Sequence, residues 1–318
     1  MARNTDMESN RLDEAARAGW LYYIAGNTQD EIASKLGVSR QTAQRLVSLA
    51  VSARLIKVRL DHPIAHCLDL SQRLKDKFGL DLCEVVPADP ASASTMLGVA
   101  EATAAELERR LESRHPIIVA LGSGRTLRAA ADQLPPMDCP QHKIVSLVGN
   151  IATDGSASFY DVITRVADAV RAPHYPMPLP VIASSLSEKK LLLAQKPVKH
   201  VIDLARQADV TFVGVGHLGD SAPLLQDGFV SRDEMRALMK AGAIGEITGW
   251  AFDRGGQMLE GLTNDRVASV ALDRPAKRLI IAAAMGPAKV DALGGALTGR
   301  LVNGLITNEA MAERLLKQ

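Results

Sequence analysis

Residues 117–134, IIVALGSGRTLRAAADQL, decide how this chain is read. The apolar run Ile117–Leu121 is too short for a helix and reads as a buried strand. Gly122-Ser123-Gly124-Arg125-Thr126 breaks it, and a helix is expected to begin near Thr126. Small residues in such a turn let backbone amides approach an anion. The helix start adds unpaired donors, Ser123 and Thr126 add hydroxyls, and Arg125 adds positive charge. The turn lacks the Gly-Lys-Ser/Thr of a nucleotide P-loop and the spacing of a dinucleotide fingerprint, which favours a phosphosugar or polyhydroxylated ligand over ATP or NAD. A tight turn holding nothing is the plain alternative.

The same unit recurs outward from that stretch. RLIIAAAMGPAKVDALGGAL (278–297) aims Gly286 and Lys289 at another helix start, where lysine can act as a point charge on a phosphate. DVTFVGVGHLGDSAPL (209–224) offers Gly214, Gly216, His217 and Asp220. Strands are predicted at Leu82–Val86, Ile117–Leu121, Ile144–Val148, Val210–Val215, Val267–Ala271 and Leu279–Met285. Helices are predicted at Ser92–Glu112, Thr126–Gln133, Asp161–Val170, Val198–Gln207, Ser231–Lys240, Ala288–Gly299 and Glu309–Lys317, with PHYPMPLP (173–180) as a loop. This alternation predicts a three-layer, doubly wound α/β domain with a mostly parallel sheet, its ligand outside the carboxyl ends of the strands.

Towards the amino terminus the period changes to that of helices. In one from about Glu8 to Gly26, Leu12, Ala15, Ala16, Trp20, Tyr23 and Ile24 are expected to share a face. Thr28-Gln29-Asp30-Glu31 is a capping box that starts a second helix carrying Ile32, Ala33 and Leu36 inward, and Gly37 stops it. Ser39 caps a third, SRQTAQRLVSLAVSARLI (39–56), with Ala43, Leu46, Val47 and Ala50 on one face. Arg40, Gln41, Gln44, Arg45 and Ser48 then face outward. Arginine can grip guanine bidentately and glutamine can grip adenine, so this helix has the chemistry to read bases in a major groove. Ile56–Leu60 alternates apolar and basic residues, as a wing holding Lys57 and Arg59 at phosphates would. Residues 28–60 carry six basic side chains against two acidic ones, while the whole chain has a net charge of only +1. The alternative is a plain three-helix bundle with a solvated basic face. Thr28, Ser39, Arg40, Gln41, Thr42, Gln44, Arg45, Ser48, Lys57 and Arg59 are accordingly the candidate DNA contacts.

The 318 residues exceed one typical domain. We expect a helix-turn-helix head over 1–60 and an effector-binding and oligomerisation domain over 61–318. DHPIAHCLDLSQRLKDKFGL (61–80) is read as a connecting helix bearing Leu68, Leu70, Leu74 and Phe78. His62, His66 and Cys67 are surface side chains rather than a metal site, because no second cluster of ligand spacing follows. Apolar residues at 47% and charged residues at 23% exclude disorder. The amino terminus is polar and acidic, unlike a secretory signal, and no apolar window suits a membrane span, so a cytoplasmic protein is expected. Three cysteines without CxxC spacing signal neither a disulfide framework nor a zinc knuckle. No cofactor and no metal is called for.

Taken together, TQDEIASKLGVSRQTAQRLV, ALGSGRTL, VTFVGVG, GEITGWAFDRGGQ, IIAAAMGPAKVDAL and LVNGLITNEAMAERLL, in that order, resemble the SorC family of sugar-binding bacterial transcriptional regulators over nearly the whole chain. The resemblance implies a carboxy-terminal sensor domain related to phosphosugar isomerases and glucosamine-phosphate deaminases, assembling as dimers or tetramers on operator DNA. It implies effector contacts at Gly122, Ser123, Gly124, Arg125 and Thr126, at Asp253, and at Lys289. Gly216 and Gly286 join them from the glycine turns. Where many members read Phe-Phe-Asp-x-Asp-Gly, this chain reads Ala251-Phe252-Asp253-Arg254-Gly255-Gly256, so the second acid is missing. Ser156–Asp161 also departs from the asparagine-containing helix start usual in the family.

The expected function is a non-enzymatic, DNA-binding regulator of a sugar or polyol catabolic operon, answering to a small sugar, polyol or sugar phosphate. The rival is a phosphosugar isomerase or deaminase with an accessory DNA-binding head. That chemistry needs a positioned base and an acid, which in the isomerase-like loop only His217 and Asp220 could supply, and the Asp-Gly-His order of the deaminases is absent at Gly216–Asp220.

Overall fold

The computed structural model describes residues 2–53, 55–56, 64–88, 95–151 and 162–318. The expected wing with Lys57 and Arg59, and the stretch Ser156–Asp161, lie outside them. The chain divides into two compact units, Met1–His62 and Pro63–Gln318. No helix among the described residues is long and apolar enough to cross a membrane.

The smaller unit is three helices: α1 (Ala2–Tyr23), α2 (Gln29–Leu36) and α3 (Arg40–Ser52). The capping box forms as its spacing dictates. The Thr28 hydroxyl accepts from the Glu31 amide, and the Glu31 carboxylate accepts from the Thr28 amide at 2.7 Å. Gly37 takes the left-handed conformation at φ 66°, turning the chain into Ser39, which caps α3. Ile32, Ala33, Ala43, Leu46, Val47 and Ala50 form the core with Ala15 and Ala18.

The inward face of α1 differs from the expected one. Ala15, Ala18 and Gly19 are buried, whereas Trp20, Tyr23 and Ile24 are exposed. Close approach of α1 to α3 decides this. A Cβ on Gly19 would stand 2.7 Å from the Ala50 Cβ and 2.4 Å from Ile56 Cδ1, so only the small-residue face fits.

In the larger unit, α4 (Ala65–Phe78) precedes a parallel seven-stranded sheet of order β1-β10-β9-β5-β2-β3-β4. Its strands are β1 (Leu82–Val86), β2 (Ile118–Leu121), β3 (Lys143–Ile151), β4 (His174–Pro180), β5 (Val210–Val213), β9 (Leu279–Ala283) and β10 (Gly304–Asn308). A small antiparallel sheet is made by β6 (Gly216–His217), β7 (Gly245–Ile247) and β8 (Trp250–Phe252). Alternate strand residues feed two cores. Val119, Leu121, Ile144, Phe212, Ile281 and Ile306 meet helices Thr95–Leu111, Arg125–Ala131 and Ile163–Val170. Ala120, Val145, Val213, Ala282 and Leu305 meet α4 and helices Lys196–Arg206, Val290–Thr298 and Glu309–Lys317. Three layers result.

Three expectations change here. The Pro-rich 173–180 segment is strand β4, not a loop. It lies at the sheet edge, where prolines remove no ladder bond that the sheet needs. Val267–Ala271 is no strand. It holds a single bridge, Ile182 to Val267, and its amides go separately to Val181 (from Ala268) and Leu147 (from Val270). The helix read as a connector is packed into this unit, burying Cys67, Leu70 and Leu74, because an apolar stripe must find a partner.

From β2 the chain winds outward through β3 to β4, then returns to β5 on the other side of β2. The strand order therefore reverses between β2 and β5. A crevice opens there, beyond the carboxyl ends of the strands.

Candidate functional site

Three glycine turns converge on that crevice. Ser123, Gly124 and Arg125 follow β2, Gly214, Val215 and Gly216 follow β5, and Lys289 follows β9. Apolar walls come from Val148, Val181, Leu224 and Phe229. Counting the part open to solvent, the cleft encloses about 740 Å³, room for a small metabolite.

Not every residue expected at the effector site reaches the cleft wall. Gly122 and Thr126 sit behind it. The Gly122 amide is engaged by the Phe212 carbonyl at 2.8 Å, and Thr126 is buried. Gly286 turns the chain at φ 104° without lining the cleft. Asp253 is not brought to the cleft either. Its Oδ1 accepts from the amides of Gly255 and Gln257, both at 2.9 Å, so this carboxylate closes its own turn. The helix after Gly124 is only seven residues long, less than two turns.

The hairpin β7–β8 supplies groups that the sequence reading passed over. Its turn is Thr248-Gly249, at φ 51° and 89°. Positive φ at both central residues is what a two-residue hairpin demands, and it strains a β-branched threonine. That strain holds Thr248 at the cleft wall, buried, its Oγ1 without a hydrogen-bond partner among the described residues. The Gly249 amide donates to Glu246 Oε2 at 2.7 Å. Buried Asn264 pins the hairpin from behind. It accepts from the Ala251 amide at 2.9 Å and donates to the Ala251 and Leu259 carbonyls at 2.8 Å. The signal that could have revealed this was the dipeptide Thr-Gly between Ile247 and Trp250.

Glu246 lies on the cleft floor against Gly216. A Cβ at position 216 would fall 1.9 Å from Glu246 Oε1, so glycine is required for the carboxylate to occupy that place. Burial raises the Glu246 pKa, opposed by the Gly249 amide and by Lys289. Burial lowers the Lys289 pKa, opposed by Glu246 and reinforced by Arg125. Asp227, also in the wall, is raised by burial and drawn down by Arg125. Beside them, His217 is held below its ordinary pKa by burial, then by Lys289 and Arg125. Its Nε2 bonds the Ser221 hydroxyl at 3.1 Å while Nδ1 is buried without a partner among the described residues. Asp220 is exposed, and neither it nor His217 is among the residues that line the cleft.

The cleft is flanked by a tryptophan. Trp250, next in chain to the Thr248-Gly249 turn, donates from Nε1 to the Ser269 carbonyl at 3.2 Å, with the Lys189 ammonium 5.0 Å from its ring centroid.

In the smaller unit, Arg40, Gln41, Thr42, Gln44, Arg45 and Ser48 are all exposed on α3. Two of the expected contacts are committed to the fold. Thr28 and Ser39 are the caps, and the Ser39 hydroxyl lies 2.8 Å from that of Thr42. Arg40 faces Asp30 of α2 at 3.5 Å, both well exposed. An exposed pair of this kind contributes little and is free to exchange partners.

Comparison with known proteins agrees with this architecture. Residues 62–317 match the family described as "Putative sugar-binding domain". The chain is 34% identical over 304 residues to the erythritol catabolism regulatory protein EryD of Brucella abortus (strain 2308), covering 96% of each. It is 29% identical to the deoxyribonucleoside regulator of Bacillus subtilis (strain 168), covering 98% of this chain and 99% of the relative. The full-length sorbitol operon regulator SorC from Klebsiella pneumoniae superposes with a TM-score of 0.72 at 25% identity, over 95% of this chain and 97% of that one.

Proposed function

Because the chain belongs to the SorC family of sugar-binding transcriptional regulators, we propose that α3 of the smaller unit reads operator DNA and that the cleft at the β2/β5 switch point holds the effector. The protein is a sugar-sensing transcriptional regulator. The observation that carries the assignment of the cleft is its construction. Turns from β2, β5 and β9 meet there, and the β7–β8 turn adds a buried hydroxyl that no described residue satisfies. The effector is a small sugar, polyol or sugar phosphate. It touches separate strand–turn units at once, so its binding biases their packing and hence operator affinity, within its differential affinity for the two arrangements.

A homodimer or homotetramer on two-fold DNA is the expected working form, since one helix-turn-helix reads only a few base pairs. The relatives are named transcriptional regulators, which favours a regulator over a sugar-phosphate enzyme. The test is a gel-retardation titration of the full chain on its own promoter, with a panel of sugars, polyols and their phosphates. A panel member should raise the melting temperature and shift operator affinity together in the wild type, and do neither in Thr248→Val. An unaltered response in that variant would remove the effector from this cleft.

A further inference from the structure

Charge in the cleft is balanced among the described residues. Four ionisable side chains line it, Arg125 and Lys289 against Asp227 and Glu246. The paired influences recorded above join Arg125 to Asp227 and Lys289 to Glu246. In formal charge the Lys289–Glu246 pair sums to zero, and the neighbouring imidazole of His217 is biased towards its neutral form. Among the described residues, the two cations that line the cleft are thus matched in number and influenced by two carboxylates. The helix after Gly124 has fewer than two turns to add a dipole.

Hydroxyl groups are well provided for. Thr248 Oγ1 is buried, without a partner among the described residues and on the cleft wall, and can both donate and accept. Glu246 and Asp227 accept, and Ser123 does both. Val148, Val181, Leu224 and Phe229 offer surfaces for the C–H faces that alternate with hydroxyls along a carbon chain. Gly216 matters for the same reason, since it makes room for an acid where a phosphate site would want none.

We propose that this cleft selects an uncharged polyhydroxylated effector, a small polyol or free sugar, over the phosphorylated form of the same molecule. The proposal rests on the reading of the cleft as the effector site, and it makes Glu246 and Thr248 the residues that set specificity. Glu246 repels a phosphate dianion and accepts from a ligand hydroxyl. Thr248 completes its own hydrogen bonding only when a ligand hydroxyl arrives.

Calorimetric titration of the full chain with paired probes tests this: erythritol and erythritol 4-phosphate, sorbitol and sorbitol 6-phosphate, and inorganic phosphate alone. At least one neutral member should bind tenfold or more tightly than its phosphate, and millimolar inorganic phosphate should not displace it. Thr248→Val should weaken that neutral ligand tenfold or more, while Thr248→Ser, which keeps the hydroxyl, should bind within a few-fold of wild type. Glu246→Gln leaves the cleft with net positive charge, so it should lose neutral ligand and gain phosphate ester, reversing the preference. Melting curves of the unliganded variants report whether each is folded. Tighter binding of a phosphorylated member to wild type, abolished by Thr248→Val, would overturn the selection while keeping the effector site. Binding indifferent to both substitutions, or no binding by any probe, would overturn the effector site and the selection together.

Discussion

Glu31 in the smaller unit and Glu246 in the larger are the same side chain in opposite circumstances. Glu31 is exposed and accepts from the Thr28 amide and hydroxyl three residues away. These local bonds hold its carboxyl below the usual range. Glu246 lies on the cleft floor, where burial pushes its carboxyl up faster than the Gly249 amide and Lys289 draw it down. The first group is satisfied by its own helix, and the second awaits something from outside. The units divide in the same way. The smaller one presents its proposed DNA-reading side chains on the solvent face of a well-capped helix, so they can be changed without touching the core. In the larger one the proposed site combines a left-handed threonine, a glycine that yields to a carboxylate, and a buried hydroxyl without a partner among the described residues, so function and stability are entangled there.

Substitution in the smaller unit should give the largest effect on function and the least on stability. Arg45→Ala and Gln41→Ala are each expected to weaken specific DNA binding by about 1–3 kcal/mol, with melting temperatures unchanged. Retardation gels on specific and scrambled DNA, alongside calorimetric melts, measure both. Wild-type selectivity in these variants would break the contrast at its first term.

Gly216→Ala is the reverse case, one methyl group in the larger unit that should damage both properties. The added Cβ must displace the Glu246 carboxylate. We expect destabilisation of about 1–3 kcal/mol from overpacking, together with loss of effector binding. Denaturant unfolding with and without a bound polyol reads the two effects separately.

Thr248→Gly should separate them. It relieves a β-branched residue at φ 51° but surrenders the unpartnered hydroxyl. Relief of strain, offset in part by glycine's freedom in the unfolded chain, predicts a gain of about 0.5 kcal/mol in stability alongside a lost effector response. A variant both less stable and still responsive would show that the strain is not functional.

The smallest effect is the dependence on pH, and its sign differs between the two glutamates. The folded-state pKa of Glu31 lies below its unfolded value near 4.5, so its contribution is present above that pH and is lost on acidification. The folded-state pKa of Glu246 lies above 4.5, so between the two values the native state binds more protons and stability falls as pH rises. Glu31→Gln should flatten the acid limb of the stability curve. Glu246→Gln should remove the decline just above pH 4.5. Curves that shift in the same direction would contradict the assigned environments.

The two units were not equally legible in sequence. Capping boxes, a left-handed glycine and a 3.6-residue period act within a few residues, so Thr28, Gly37, Ser39 and the inward face of α3 could be named from the letters alone. The strand–turn–helix units around Gly124 and Lys289 were legible for the same reason. What failed was decided at a distance. The face of α1 depends on how near α3 comes, the strand at 174–180 depends on being at an edge, and Asp253 turns inward to its own loop. Glu246 and Thr248 reach the cleft wall only because β7 and β8 pair as a hairpin beside it, an arrangement no local period records.

The chain's two tryptophans fall one to each unit, and this gives the protein an optical consequence. Trp20 is more than half exposed on α1, whereas Trp250 is partly buried, hydrogen-bonded to Ser269 and overlaid by the Lys189 ammonium. The emission of Trp20 belongs at the red, water-relaxed end and that of Trp250 towards the blue, with its quantum yield sensitive to a cation that also donates to the Asn264 and Asp265 carbonyls. A single sample therefore carries two native fluorophores that report on the DNA-reading and ligand-reading parts without any attached dye. With Trp20→Phe the remaining signal becomes a monitor of the cleft alone.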